Sequence, residues 1–150
     1  MLVERILSLA QKRLVTMKDT ELLTSAAKLL YCDGHINLIV VCNSGGAMAG
    51  VLTKTDIIRQ ISVCGKAASA CTTPIGEVMT KDVIYCRPKD WLKDVWATMK
   101  DKQLLHVPIV SEDLKPLGVI NARDALLALW EESNYEESLL RDYVMGIGYH

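Results

Sequence analysis

The 150-residue chain carries almost no surplus charge: 17 Lys and Arg stand against 18 Asp and Glu, a formal net charge of −1. That leaves no broad positive field to hold nucleic acid or an anionic membrane, so neither is expected as a main partner. Long hydrophobic runs are missing as well. A membrane-spanning helix needs about 18 consecutive apolar residues. Here Asp33, His35 and Asn37 interrupt the apolar stretch from Leu29-Leu30 through Ile36 to Val41. Glu4 and Arg5 sit inside an amphipathic pattern rather than ahead of an apolar signal core, and a cytoplasmic location is expected. The five cysteines, Cys32, Cys42, Cys64, Cys71 and Cys86, form no C-x-x-C pair and have no histidine at metal-ligand spacing. Neither a metal site nor a disulfide framework is expected from them. In a reducing compartment they are expected to pack as small hydrophobes. Three histidines, none in a recognisable pairing with Cys or Ser, leave catalysis without a nucleophile and base, so no enzyme activity is expected.

What is present is apolar and repeated. Half of the residues are hydrophobic, enough for a buried core. Gly50-Val51-Leu52-Thr53-Lys54-Thr55-Asp56 returns 68 positions later as Gly118-Val119-Ile120-Asn121-Ala122-Arg123-Asp124. The same shift lays Ile39-Val40-Val41 on Val107-Pro108-Ile109, and Val15 on Val83. Two copies of this length suit two small α/β units packed on each other rather than a solenoid. A cleft between the units is the first indication of function.

Periodicity divides each unit into the same elements. Residues 2–14 read as an amphipathic lead-in helix and Leu14–Met17 as a short strand. Thr20 is expected to cap a helix that buries Leu22, Leu23, Ala26, Ala27 and Leu30 and stops at Asp33-Gly34. Ile36–Cys42 reads as a strand, Asn43–Gly46 as a turn, Met48–Leu52 as the returning strand, and Thr53 as the cap of a helix to about Val63. The glycine cluster Gly45–Gly50 lies between strands and lacks the Lys-Ser/Thr ending of a phosphate loop, so it reads as a hairpin turn. The second unit gives a strand Val83–Cys86 and a helix started by Pro88 that buries Leu92, Val95, Trp96 and Met99. Strands Leu105–Val110 and Leu117–Ile120 follow, and then a helix capped by Asn121 and ending near Trp130. Ser133 is expected to cap a separate last helix, with Leu139, Leu140 and Tyr143 on one side and an apolar tail from Met145 to His150 docked on something. The boundaries are residues 1–62 for the lead-in helix and first repeat, 63–77 for a linker, 78–130 for the second repeat, and 131–150 for the last helix and tail.

The order strand–helix–strand–strand–helix, given twice, resembles the CBS domain, and the pair resembles a tandem CBS (Bateman) module. The resemblance rests on Leu105-His106-Val107-Pro108-Ile109-Val110, on the junctions Gly50–Asp56 and Gly118–Asp124, and on Val78-Met79-Thr80-Lys81-Asp82-Val83 ahead of the second repeat. It implies an α/β fold of two βαββα repeats related by a pseudo-twofold axis, with flanking helices. It also implies a homodimer and an adenosine-containing regulatory ligand: AMP or ATP first, with ADP, NAD and S-adenosylmethionine as others.

The junction Thr53-Lys54-Thr55-Asp56 supports two readings. As a relative of the capping box, Thr53 and Asp56 only stabilise a helix start. As a ligand corner, Asp56 accepts the two hydroxyls of a ribose while Thr53 or Thr55 and the helix end hold a phosphate. In the second copy Asn121 departs from the family's usual Ser or Thr, and Arg123 sets a cation beside Asp124. The resemblance implies that each corner works with strands of the other repeat. Asp56 would face Thr80, Val83, Ile84 and His106, and Asp124 would face Lys12, Thr16, Asn37 and Leu38. Val83 and Ile84 suit an adenine face; His106 is either a phosphate donor, stronger when protonated, or a histidine satisfied by a neighbour. Val40 stands where the second copy has Pro108, so the two clefts differ.

The leading expectation is therefore a sensor that reports an adenosine-type ligand to an effector protein the sequence does not identify. Two other classes stay open: a structural or dimerisation module with vestigial clefts, and a redox-responsive protein using Cys42, Cys64 or Cys71.

Overall fold

The computed structural model describes residues 1–64 and 72–148, with side chains through Val63 and Met145 in the two stretches. The linker expectation falls largely on residues 65–71, and with them Cys71, outside the described residues. A 3-10 turn, Val3–Ile6, leads into α1 (Leu7–Lys12), β1 (Thr16–Lys18) and α2 (Leu23–Cys32). Then come β2 (Leu38–Cys42), β3 (Met48–Thr53) and α3 (Lys54–Cys64). The second half contains α4 (Ile75–Val78), α5 (Leu92–Lys102), β4 (His106–Val110), β5 (Pro116–Asn121) and α6 (Ala122–Gly148).

Strand β2 is central to the first repeat: β1 pairs with it in parallel and β3 antiparallel. Its alternating side chains serve two cores, which is why all five of its residues are buried. Ile39 and Val41 pack with Leu23, Ala26, Leu30 and Ile57 inside their own repeat. Leu38, Val40 and Cys42 face the other way, beside Val51 of the same sheet, and meet Val119 of the second repeat. In the second repeat Val107, Ile109 and Ile120 join Leu92, Val95 and Met99.

The lead-in segments are exchanged between the repeats. Val3 is wholly buried in the second repeat's core, and Ile75 is wholly buried in the first repeat's. The backbone repeats the exchange: Leu92 N–H donates to Met1 C=O, and Leu23 N–H to Thr73 C=O, both at 2.9 Å. The two repeated glycines mark where each lead-in crosses the other repeat's last strand. A Cβ on Gly50 would stand 2.6 Å from the Thr80 carbonyl oxygen, and one on Gly118 would stand 2.9 Å from Ala10.

Several sequence expectations are corrected. The expected strand Val83–Cys86 is reduced to a single parallel bridge, Cys86 to Ile109. In the first repeat the parallel ladder has donors on both sides: Val40 N–H bonds Val15 C=O and Asp19 N–H bonds Cys42 C=O, each at 2.9 Å. The bridge aligns Cys86 with Met17, so the equivalent donor positions are Pro108 and Pro88, which have no N–H to give. The alignment also moves Val15 onto Ile84 rather than Val83.

Neither Thr20 nor Pro88 starts a helix. The starts are Leu23 and Leu92, behind the extended N-cap residues Leu22 and Trp91. The turn before each is closed by an acid instead: Lys18 N–H donates to Glu21 at 2.7 Å, and Arg87 N–H to Asp90 at 2.8 Å. Leu22 is exposed rather than inward. Ser133 caps nothing, because α6 runs unbroken past it. Met145, where the expected docked tail begins, is half exposed within the chain; residues 149–150 lie outside the described residues. Cys42 and Cys86 are buried as expected, whereas Cys32 is exposed. Among the described residues no helix is long and apolar enough to cross a membrane, and no cluster could hold a metal ion.

Candidate functional site

Both candidate corners form where the last strand of a repeat turns directly into a helix, but the two are built differently. At the first, the capping box is realised in full. Thr53 N–H and hydroxyl donate to Asp56 Oδ2 at 3.0 and 3.1 Å, and Asp56 N–H donates back to Thr53 Oγ at 3.4 Å. Asp56 Oδ1 accepts the Thr80 hydroxyl at 3.0 Å and the Arg59 guanidinium at 3.4 Å. Asp56 is 5% exposed. Thr80 reaches it from the second lead-in because its backbone pairs with Val51, N–H to C=O in both directions, at 2.8 and 3.0 Å.

At the second corner Asn121 replaces the threonine, and its side chain turns elsewhere. Its Oδ1 accepts Arg123 N–H at 2.8 Å, and its Nδ2 stands 3.4 Å from His106 Nε2. Asp124 is left out of the cap. It takes instead a two-pronged contact from Arg13, Nε to Oδ2 at 2.5 Å and Nη2 to Oδ1 at 3.2 Å.

Between the corners lies a hollow with a cavity volume of about 730 Å³. Of the residues expected in a site, it brings together Thr53, Thr55, Asp56, Thr80, Val83, Ile84 and His106, along with Asn37, Leu38, Asn121 and Arg123. Leu38 backs Thr53 across the β2–β3 ladder, and His106 backs Asn121 across β4–β5, so both strand ends open into one space. Lys12, Thr16 and Asp124 are not among its lining residues. Thr16 belongs to a hollow of about 880 Å³ at the opposite end of the strands, beside Lys18, Asn43 and Lys115. Sequence reasoning missed Lys54, Asp82 and Gln103 in the wall of the main hollow, whereas Pro108, singled out as a point of difference between the clefts, does line it. It also missed Arg13 as the partner of Asp124, for 111 residues separate the two and no local pattern joins them.

Electrostatics sharpens the role of His106. Burial pushes its pKa below the usual 6.5, the Arg13 cation pushes the same way, and Asp124 opposes both. These surroundings favour the neutral ring, and Nε2 faces the Asn121 amide at 3.4 Å.

Two copies of one α/β unit, with lead-ins exchanged and a polar-rimmed cleft across their junction, define a paired-repeat module. A family model described as the CBS domain matches twice, over residues 3–63 and 75–131, and the chain belongs to the CBS domain family. The CBS domain-containing protein CBSX3, mitochondrial, of Arabidopsis thaliana is 28% identical over 116 residues, which cover 75% of this chain and 55% of that protein. Homoserine O-acetyltransferase of Methanohalobium evestigatum is 22% identical over 111 residues, 74% of this chain but 21% of that protein. The chain thus spans about half or less of the length of these relatives. Among solved structures, CBSX2 in complex with AMP superposes with a TM-score of 0.73 at 18% identity, covering 88% of this chain and 98% of that one. The CBS domain pair of MJ0100 in complex with 5′-methylthioadenosine and S-adenosyl-L-methionine gives 0.67 at 22% identity, covering 89% and 98%. At such identities the likeness is one of fold.

Proposed function

We propose that this chain is a regulatory module that binds an adenosine-containing ligand, AMP or ATP foremost, in the hollow beside Asp56. One observation carries the reading: the Asp56 carboxylate, three threonine hydroxyls and an apolar wall from different repeats line one cavity of about 730 Å³. That volume lies within the range of about 300–1,000 Å³ usual for small-molecule sites. Asp56 Oδ1 spends its acceptor capacity on the neutral Thr80 hydroxyl and a long contact from Arg59. A ribose hydroxyl can replace a threonine hydroxyl like for like, at little net cost in hydrogen bonding. Val83 and Ile84 offer the apolar face for adenine, and Lys54 and Arg123 offer cations to phosphate groups. AMP in CBSX2 and the two adenosyl compounds in MJ0100 are the same chemical class.

A ligand touching both repeats favours the packing in which the corners stand at the right separation, and so shifts the population between packings. That is signalling without a chemical step, and no catalytic role is assigned to any residue. A second copy of the chain is proposed against the apolar faces of α3 and α6, where Ile58, Ile61, Leu126, Leu127 and Trp130 are exposed. Those faces also favour the alternative of a module that only dimerises. Calorimetry with AMP, ATP, NAD and S-adenosylmethionine separates the two. The sensor reading expects at least one ligand to bind in the micromolar range and Asp56→Asn to weaken it tenfold or more. If none binds below the millimolar range, the dimerisation reading replaces it.

A further inference from the structure

The two pseudo-symmetric carboxylates, Asp56 and Asp124, are equivalent in sequence but not in what they hold. Asp56 is tied down by its own cap and by a hydroxyl. Asp124 has lost its cap partner, because Asn121 spends its carbonyl oxygen on Arg123 N–H and its amide on His106. Both of its oxygens are taken by the fork of Arg13, at 2.5 and 3.2 Å, from the end of the exchanged lead-in helix α1. A guanidinium fork presents two parallel N–H donors to the two oxygens of a carboxylate. A cis-diol would present its two hydroxyls to those same oxygens.

We infer that Arg13 closes the second corner from within, acting as a built-in occupant of Asp124, so that the module takes one adenosine-type ligand per chain. The inference rests on the reading of Asp56 as a ribose ligand. Two features fit together. Asp124 is absent from the lining of the main hollow, although its neighbours Asn121, Ala122 and Arg123 all line it. The bond a ligand would have to replace also differs at the two corners. At Asp56 the ligand displaces a neutral hydroxyl and at most one long, single contact from Arg59, whose side chain is 66% exposed. At Asp124 it must displace a charge-assisted fork, which a neutral diol cannot match. The threonine-to-asparagine difference between the copies is what makes this possible, since a full capping box would tie the carboxylate to its own helix start. Arg13 is therefore a specificity-determining residue that sets how many ligands the module counts.

The test is the stoichiometry of AMP binding by calorimetry to the full chain and to Arg13→Met, which keeps the aliphatic stem and removes the fork. The expected result is one AMP per wild-type chain and two per Arg13→Met chain, with the added site at least tenfold tighter than any second site in the wild type. Restoring one site in the double variant Arg13→Met, Asp124→Asn would assign the gain to Asp124. Arg13→Lys, which keeps the charge but not the fork, is expected to fall between, and it provides the comparison if the methionine variant does not fold. Two AMP per wild-type chain would overturn the closure, as would a single site persisting in both Arg13 variants. Should the wild type bind none while Arg13→Met binds one, the closure stands and the assignment at Asp56 falls. Binding to neither removes both.

Discussion

Asp56 gathers four donor groups around one carboxylate in a nearly water-free position, so its removal costs stability as well as any ligand it holds. Asp56→Ala leaves the Thr53 N–H and the start of α3 without their partner. The expected cost is about 1–3 kcal/mol of stability, read as a lowered urea midpoint at unchanged slope. His106 gives a pH signature of definite sign. Its folded pKa lies below 6.5 because burial, then Arg13, disfavour the charged ring. The unfolded chain therefore binds the proton more readily, so stability is complete above the unfolded value and declines as pH falls through and below 6.5. Urea unfolding at pH 7.5 and 5.5 should show that loss in the wild type, and a smaller one in His106→Gln; equal losses would remove His106 as the cause. The cysteines divide by burial. Cys86 is pushed up to about 12 by desolvation, with Asp90 adding to it, and burial followed by Asp19 raises Cys42. Thiol labelling mapped peptide by peptide should find Cys32 reactive in the native protein and Cys86 reactive only on unfolding. Fast native labelling of Cys42 would revive a redox role for it.

At the scale of elements, the repeated glycines give the sharpest energetic contrast. Gly50→Ala places a methyl group 2.6 Å from a backbone oxygen, and Gly118→Ala places one 2.9 Å from the backbone and side chain of Ala10. Both must push a lead-in segment off the strand it crosses, at a cost of about 1–3 kcal/mol as for other overpacked sites. Gly50→Ala is expected to cost more, because the obstructing carbonyl is itself hydrogen-bonded to β3. Gly34→Ala, with nothing within 4 Å, is the control and should be neutral or slightly stabilising. Equal melting temperatures for all three would contradict the close crossings. These glycines were legible in the sequence as repeated letters, but their reason was not, since the lead-ins they accommodate belong to the other repeat. The strands β2, β3, β4 and β5 were legible as short apolar runs bounded by turn residues. The bridge at Cys86 was not, because its weakness comes from two prolines that withhold donors from a ladder visible only once paired. The unbroken α6 was misread at Ser133 for a local reason. Serine favours caps, but Glu131, Glu132, Glu136 and Glu137 around it are good helix formers, and no glycine follows until Gly146.

The whole molecule is tied together by the exchange of lead-ins, and this decides how it unfolds. Each core is completed by a residue from outside its own repeat: Val3 beside Leu92 and Met99, Ile75 beside Leu23 and Ile57. A third cluster, Leu38, Val40, Cys42, Val51 and Val119, belongs to both repeats at once. Neither repeat can therefore lose its packing without uncovering apolar surface of the other, and a single cooperative transition is expected for the chain. The exchange also predicts that damage crosses over. Ile75→Ala removes a wholly buried side chain at a cost of about 2–5 kcal/mol. The loss should show first as faster amide exchange in α2, in the repeat that precedes it in sequence. Val3→Ala, in the N-terminal lead-in, should instead loosen α5, 89 residues further along the chain at Leu92. Hydrogen exchange resolved by peptide distinguishes this from a molecule of two independent halves. In such halves, Val3→Ala would speed exchange in α2 and Ile75→Ala in α5. That reversed pattern, or two separate melting steps, would show that the exchanged segments pack without coupling the repeats. It would also leave a ligand at Asp56, whose site draws Thr80 from the second lead-in, without a route by which to bias the packing of the whole module.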